Sequence, residues 1–185
     1  IEDVKYLRDN SKLIDSEIYY ATFIGGIATK GEKKITGIPV GVNPGAMGLF
    51  SAKITKGRGI EQADLDDKNN IIVISENASE QLGANIDDTV NIGPNNFKVV
   101  GLFKIDQQLN ITSAGGGGDM FIIPVTVAST INHSDQINRI AVHSKTVEGI
   151  DDAIAEVKTL LKTKHNANDF TVLKPTDILK TITKI

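Results

Sequence analysis

Cysteine is absent from this 185-residue sequence. That removes disulfides, thiol nucleophiles and thiolate metal sites together, and suits a reducing or an oxidising compartment equally. Long apolar runs are missing too: none approaches the ~18–20 residues needed to cross a bilayer, and no basic start followed by an apolar stretch marks a signal peptide. Neither charge sign dominates. The 20 basic and 23 acidic residues are interleaved and leave a net charge of -3, which offers no strong field to phosphate backbones or anionic lipid. Nucleic-acid binding is therefore not expected.

Groups that carry chemistry are equally thin. His133, His143 and His165 lack the i, i+4 spacing of a helical metal pair and fall in different local contexts, one at a strand end and two in polar loops. No Gly-x-Ser-x-Gly segment supplies a nucleophile elbow. Glu61, Asp64, Asp66 and Asp67 lack the alternating ligands, central glycine and distal glutamate of an EF-hand, so residues 61–67 read as a solvated acidic loop. Gly115 to Gly118 are not followed by Lys-Ser/Thr and open no helix, so they read as a flexible linker rather than a phosphate cradle. The Asn-x-Ser/Thr matches at Asn77, Asn110 and Asn132 carry no weight. No catalytic, cofactor or metal residue is expected.

Hydrophobic residues make up 40% of the chain, enough for the core of one large domain or two smaller ones. A start at Ile1 rather than Met is expected to mark a fragment. Val4 and Leu7 indicate a short helix over residues 1–10. Residues 18–29 and 33–42 read as paired strands around Lys30-Gly31-Glu32, and Asn43-Pro44-Gly45 breaks the pattern. The wholly apolar Ile71 to Ile74 reads as a buried strand, followed by a helix capped by Ser75 and ended by Gly83. Residues 89–92 and 97–103 form a hairpin about Gly93-Pro94-Asn95-Asn96. Strands are expected over 119–125, 137–143 and 170–173, with a short helix from Thr126. Val147, Ile150, Ile154, Val157, Leu160 and Leu161 recur at helical spacing, and Ile178, Leu179, Ile182 and Ile185 predict a last helix from Thr176.

In order, Gly41-Val42, Phe50, Ile54, Gly57-Arg58 and Asp64, then Ile71 to Ser75 with Ala78 and Leu82-Gly83, form one pattern. It continues through Val90-Asn91-Ile92, Phe97 to Gly101, Ile123-Pro124, His165 and Asp169-Phe170. Over residues 41–173 this resembles the MacB-like periplasmic core domain of ABC-transporter permeases, within the MacB/FtsX-like permease family. Asp87 stands where that family usually has glycine, and Gly59-Ile60 where an aromatic is common, which leaves subfamily and cargo open.

The resemblance implies an α+β fold, a mixed sheet with packed helices in two subdomains, one inserted into the other. Residues 1–43 and 119–185 would form a membrane-proximal, porter-like part and residues 44–118 an inserted outer part. It further implies an extracytoplasmic (periplasmic) domain of an inner- or plasma-membrane permease that relays ATP-driven motion to export of a substrate or lipoprotein. ATP would be hydrolysed on a separate nucleotide-binding subunit or domain. The implied partners are a second permease copy, the ABC ATPase and a periplasmic adaptor or lipoprotein, with attachment through flanking transmembrane helices. No contact residue is assigned. The alternative is a stand-alone ligand-binding or adhesion module, which the absence of flanking ~20-residue apolar spans in the gene would favour.

Overall fold

The computed structural model describes residues 1–105, 119–166 and 169–174. The glycine run 115–118, Asn110 and the helix expected from Thr176 lie outside the described residues. The chain forms two compact units, a flanking unit of Ile1–Ile18 with Ile140–Ile185 and an inserted unit of Tyr19–Arg139. These bounds differ from a division at residues 44 and 118, and strand pairing gives the reason. Residues 37–42 and 119–124 pair with each other in parallel, and the latter also pair with residues 73–74, so all belong to the middle of the chain.

The flanking unit opens with α1 (Glu2–Asn10), which carries Glu2 and Asp3 in its first turn and Arg8 in its last, matching the helix dipole. Strand β1 (Ile14–Phe23) follows and runs on into the inserted unit. Near the other end of the chain come β9 (Arg139–Ser144) and α5 (Ile150–Lys162). Helix α1 buries Val4 and Leu7, α5 buries Ala153, Val157 and Leu161, and the two helices pack together. Val147 stands outside this stripe, 80% exposed, because Gly149 caps the helix and leaves residues 145–148 as a turn. Residues 170–173, expected as a strand, alternate in burial but join no ladder among the described residues. Alternation without a partner strand does not make a sheet.

In the inserted unit, β2 (Ile27–Lys30) and β3 (Lys33–Val42) form the expected hairpin. Residues 18–29 are not one strand, since β1 ends at Phe23 and Gly25-Gly26 intervene. A 3-10 turn (Ala46–Phe50) leads to β4 (Ala52–Gly57) and α2 (Gln62–Asp66). Then come β5 (Ile71–Ser75), α3 (Glu76–Leu82), β6 (Thr89–Ile92), β7 (Asn95–Ile105), β8 (Asp119–Pro124) and α4 (Val125–Asn132).

The pairings run β2-β6-β7-β5-β8-β3 and return from β3 to β2, so six strands close a ring. The β5–β7 and β3–β8 pairs are parallel and the other four antiparallel, which makes the sheet mixed. Strands β5 and β8 are buried on both faces. Ile72, Ile74, Phe121 and Ile123 enter one core with Phe97, Leu82 and Val127, whereas Ile71, Val73 and Ile122 enter a second with Phe50, Phe103 and Leu65. Two-sided burial is why these strands are apolar runs rather than alternations.

Ser75 caps α3 as its sequence indicates. Its Oγ accepts from the Ala78 amide at 3.0 Å and donates to Asp119 Oδ1 at 2.7 Å, and Gly83 ends the helix at φ 61°. Ser75→Ala is expected to lower stability by about 1–2 kcal/mol, combining a lost N-cap with a lost side-chain bond. A urea titration followed by circular dichroism measures it.

Candidate coupling site

The residues weighed for chemistry do not converge. His133 is the left-handed residue that ends α4 in the inserted unit, and His143 lies on β9 in the flanking unit. Asn77 donates to both carboxylate oxygens of Asp119, at 3.0 and 2.9 Å. Among the described residues no three or more His, Asp or Glu side chains are placed to hold a metal ion. A polar depression of about 210 Å³ beside α3 is lined by Lys56, Glu76, Ser79, Glu80, Asn85 and Leu102. Its Glu76 is paired to Lys104 at 2.9 Å, and hydrogen bonds from Thr55 and Lys104 hold that carboxyl below its ordinary range.

Within residues 61–67 Glu61, Asp66 and Asp67 are exposed to solvent, as a solvated acidic stretch predicts, but the stretch holds a short helix and Asp64 is buried in a structural lock. Gly101 leaves room for the Arg58 backbone, since a Cβ there would stand 2.1 Å from the Arg58 carbonyl oxygen. So positioned, Arg58 donates from Nη1 and Nη2 to Asp64 at 2.6 and 3.0 Å. Asp64, 2% exposed, also accepts from the Glu61 amide at 2.9 Å, one half of a capping box that starts α2. The Arg58 hydrogen bond lowers the Asp64 pKa against the upward push of burial.

The flanking unit has the more suggestive arrangement, because bonds far apart in sequence tie its two chain segments together. At one end His165 Nε2 lies 2.9 Å from Asp3 Oδ1, with Phe170 edge-on to the imidazole at 6.4 Å. Beside it Thr163 Oγ1 donates to the Tyr6 hydroxyl at 3.2 Å, and Lys164 Nζ sits 4.6 Å from the Tyr6 ring centroid. At the other end of α1, the Glu156 carboxylate of α5 accepts from the Ser11 hydroxyl and from the amides of Lys12 at 3.0 Å and Leu13 at 3.1 Å. Burial pushes the Glu156 pKa up, but these three donors bring it below the ordinary value. Farther along, Lys174 Nζ bonds Asp151 Oδ1 of α5 at 2.8 Å.

None of these clasps was visible beforehand as a site. His165 read as a polar-loop residue, and nothing singled out Glu156. No local signal marked it: α1 stops at Asn10 and β1 starts at Ile14, and the exposed amides between them could equally be satisfied by water. Glu156 lies 143 to 145 residues away from them, a separation at which no local pattern operates.

The fold and clasps define a class: a discontinuous α+β module, entered and left through one unit, with a mixed closed sheet in the inserted part. The description "MacB-like periplasmic core domain" matches residues 1–160, and the chain belongs to that family. It is an extracytoplasmic domain of the kind carried by ABC-transporter permeases. The macrolide export ATP-binding/permease protein MacB of Aggregatibacter actinomycetemcomitans is 28% identical over 167 residues, 87% of this chain and 25% of that protein. This chain thus spans about a quarter of the relative's length.

Among solved structures, the periplasmic region of MacB from Actinobacillus actinomycetemcomitans superposes with a TM-score of 0.79 at 23% identity, over 100% of this chain and 82% of that one. The extracellular domain of the noncanonical ABC-type transporter YknZ from Gram-positive bacteria gives 0.74 at 18% identity, over 89% and 82%. At these identities the likeness is one of fold.

Proposed function

We propose that this domain relays ATP-driven motion of an ABC-transporter permease to the export of a substrate or lipoprotein across the cell envelope. In this reading transmembrane helices on both sides anchor it in the inner or plasma membrane, and two permease copies work with an ABC ATPase that hydrolyses the ATP on its own subunit or domain. A periplasmic adaptor or lipoprotein is the further partner. The flanking unit is the membrane-proximal part and the inserted unit the outer part. One observation carries the reading. Asp3 and His165 are 2.9 Å apart, so a displacement imposed on the segment entering the domain is shared at once with the segment after α5. Packed helices move as bodies with discrete arrangements, which suits them to such a relay.

The test uses the full-length permease with its ATPase in nanodiscs, carrying one spin label per copy at the exposed α1 position Arg8→Cys. The inter-copy distance is expected to change between the nucleotide-free and ATP-bound states. Glu17→Cys, exposed on β1, is expected to react in intact cells with a membrane-impermeant maleimide. A label that is unreactive from outside would sink the proposal, and a distance indifferent to nucleotide would sink it in favour of a stand-alone binding or adhesion module.

A further inference from the structure

The link between α1 and β1, residues 11–13, is bonded more completely than an exposed connection requires. The amides of Lys12 and Leu13 both donate to Glu156, and so does the Ser11 hydroxyl. Both carbonyls are also occupied, that of Lys12 by Lys145 Nζ at 2.6 Å and that of Leu13 by the Lys145 amide at 3.0 Å. The Ser11 amide returns to Leu7 at 2.9 Å. Water satisfies exposed backbone groups at little cost, so fixed protein partners on four consecutive backbone groups are not needed for solvation. What they supply is stiffness. A charged carboxylate accepting three bonds is also the stronger kind of acceptor.

The placement of this clamp matters because of what it joins. Upstream is α1, whose start is tied to His165. Downstream is β1, which continues unbroken from Ile14 to Phe23 and so carries the chain from the flanking into the inserted unit. A free hinge at residues 11–13 would let α1 tilt while β1 stayed where it was. With the hinge closed by Glu156, tilting α1 must turn the start of β1 by the same amount.

We propose that Glu156 is the positioning residue that locks the α1–β1 elbow, so that α1, α5 and the first half of β1 move as one lever. This rests on the relay function above and names the group through which motion passes from helix to strand. Glu156 acts through the backbone of Lys12 and Leu13 and touches no substrate.

The first measurement uses the 185-residue chain itself. In E156Q one of the two acceptor oxygens becomes an amide donor, so hydrogen exchange at whichever of the Lys12 and Leu13 amides loses its acceptor is expected to accelerate at least about tenfold. Exchange at Ile72 and Ile74 should be unchanged, showing that the fold is intact. Lys158→Ala, an exposed change on the same helix, should alter neither. The second measurement uses the full-length permease, labelled at position 8 or at position 17 and compared across the two copies.

In wild type both distances should respond to ATP. In E156A the response at position 8 should persist while that at position 17 falls by more than half, a split that a loss of folded protein cannot produce. Equal responses in E156A, or unchanged exchange in E156Q, overturn the lever. A wild type that responds at neither position, with exchange behaving as expected, overturns the relay reading and the lever's purpose with it.

Discussion

Phe121→Ala is expected to lower the unfolding free energy by about 4 kcal/mol. Strand β8 sits between β5 and β3, and Phe121 is fully buried in the core that also holds Phe97 and Leu82. Truncation removes the ring from its contacts and leaves a cavity that neighbours locked in strand pairing on both sides can collapse into only partly. With a urea slope near the top of the usual range, about 3 kcal/mol/M, the midpoint falls by roughly 1.3 M.

The double variant with Gly37→Ala separates cavity from crowding. A Cβ on Gly37 would stand 2.3 Å from the Phe121 ring and 2.3 Å from the Asp119 carbonyl oxygen. Removing the ring relieves only the first clash, so Gly37→Ala should not rescue Phe121→Ala. A double variant more stable than Phe121→Ala alone would mean that β3 and β8 can part more easily than their parallel pairing indicates.

What the sequence disclosed and what it hid divide by the range of the forces involved. The Ser75 cap, the Gly83 stop, a reversal at Gly93-Pro94 and the apolar stripe of α5 are each set by residues within a few positions of one another. The cap and the stop appear as read, the turn read over 93–96 tightens to Gly93-Pro94 as Asn95 and Asn96 join β7, and the stripe appears without Val147. Strand β4 escaped because five of its six residues are exposed, leaving no alternation to see. The compact units have other bounds than the division read at residues 44 and 118, because β3 and β8 pair in parallel across some eighty positions and nothing local announces a parallel partner. The clasp residues were the least legible of all. Asp3 and His165 are 162 positions apart, and a lone Glu on a helix is usually a solvated one. The helices that carry the candidate site could be read from periodicity, but the bonds that make it a site could not.

Arg58→Ala is expected to cost about 3 kcal/mol, since it strips both guanidinium bonds from a carboxylate that the fold keeps out of water. Asp64 would retain only the Glu61 amide and, at 3.4 Å, the Asn69 side chain. Asp64→Asn in the same background should recover part of the loss, because a neutral amide is less costly to bury than an unpaired charge. Lysine at position 58 should serve poorly, offering a point charge where a two-pronged donor is matched to two oxygens.

The pH dependence supplies the sharper check. In wild type the Arg58 hydrogen bond depresses the Asp64 pKa in the fold. The pair therefore contributes fully above the unfolded carboxyl value of about 3.9 and is lost as pH falls through the folded value. In Arg58→Ala burial is opposed only by the Glu61 amide and the Asn69 side chain, so the folded pKa rises from its wild-type position and protonation costs the variant less than it costs wild type. The stability gap between wild type and Arg58→Ala should therefore be widest near neutrality and narrow as the pH falls through the carboxyl range at about 4. A gap that stays constant across that range would show that the loss comes from the Arg58 side chain's packing and not from the carboxylate it holds.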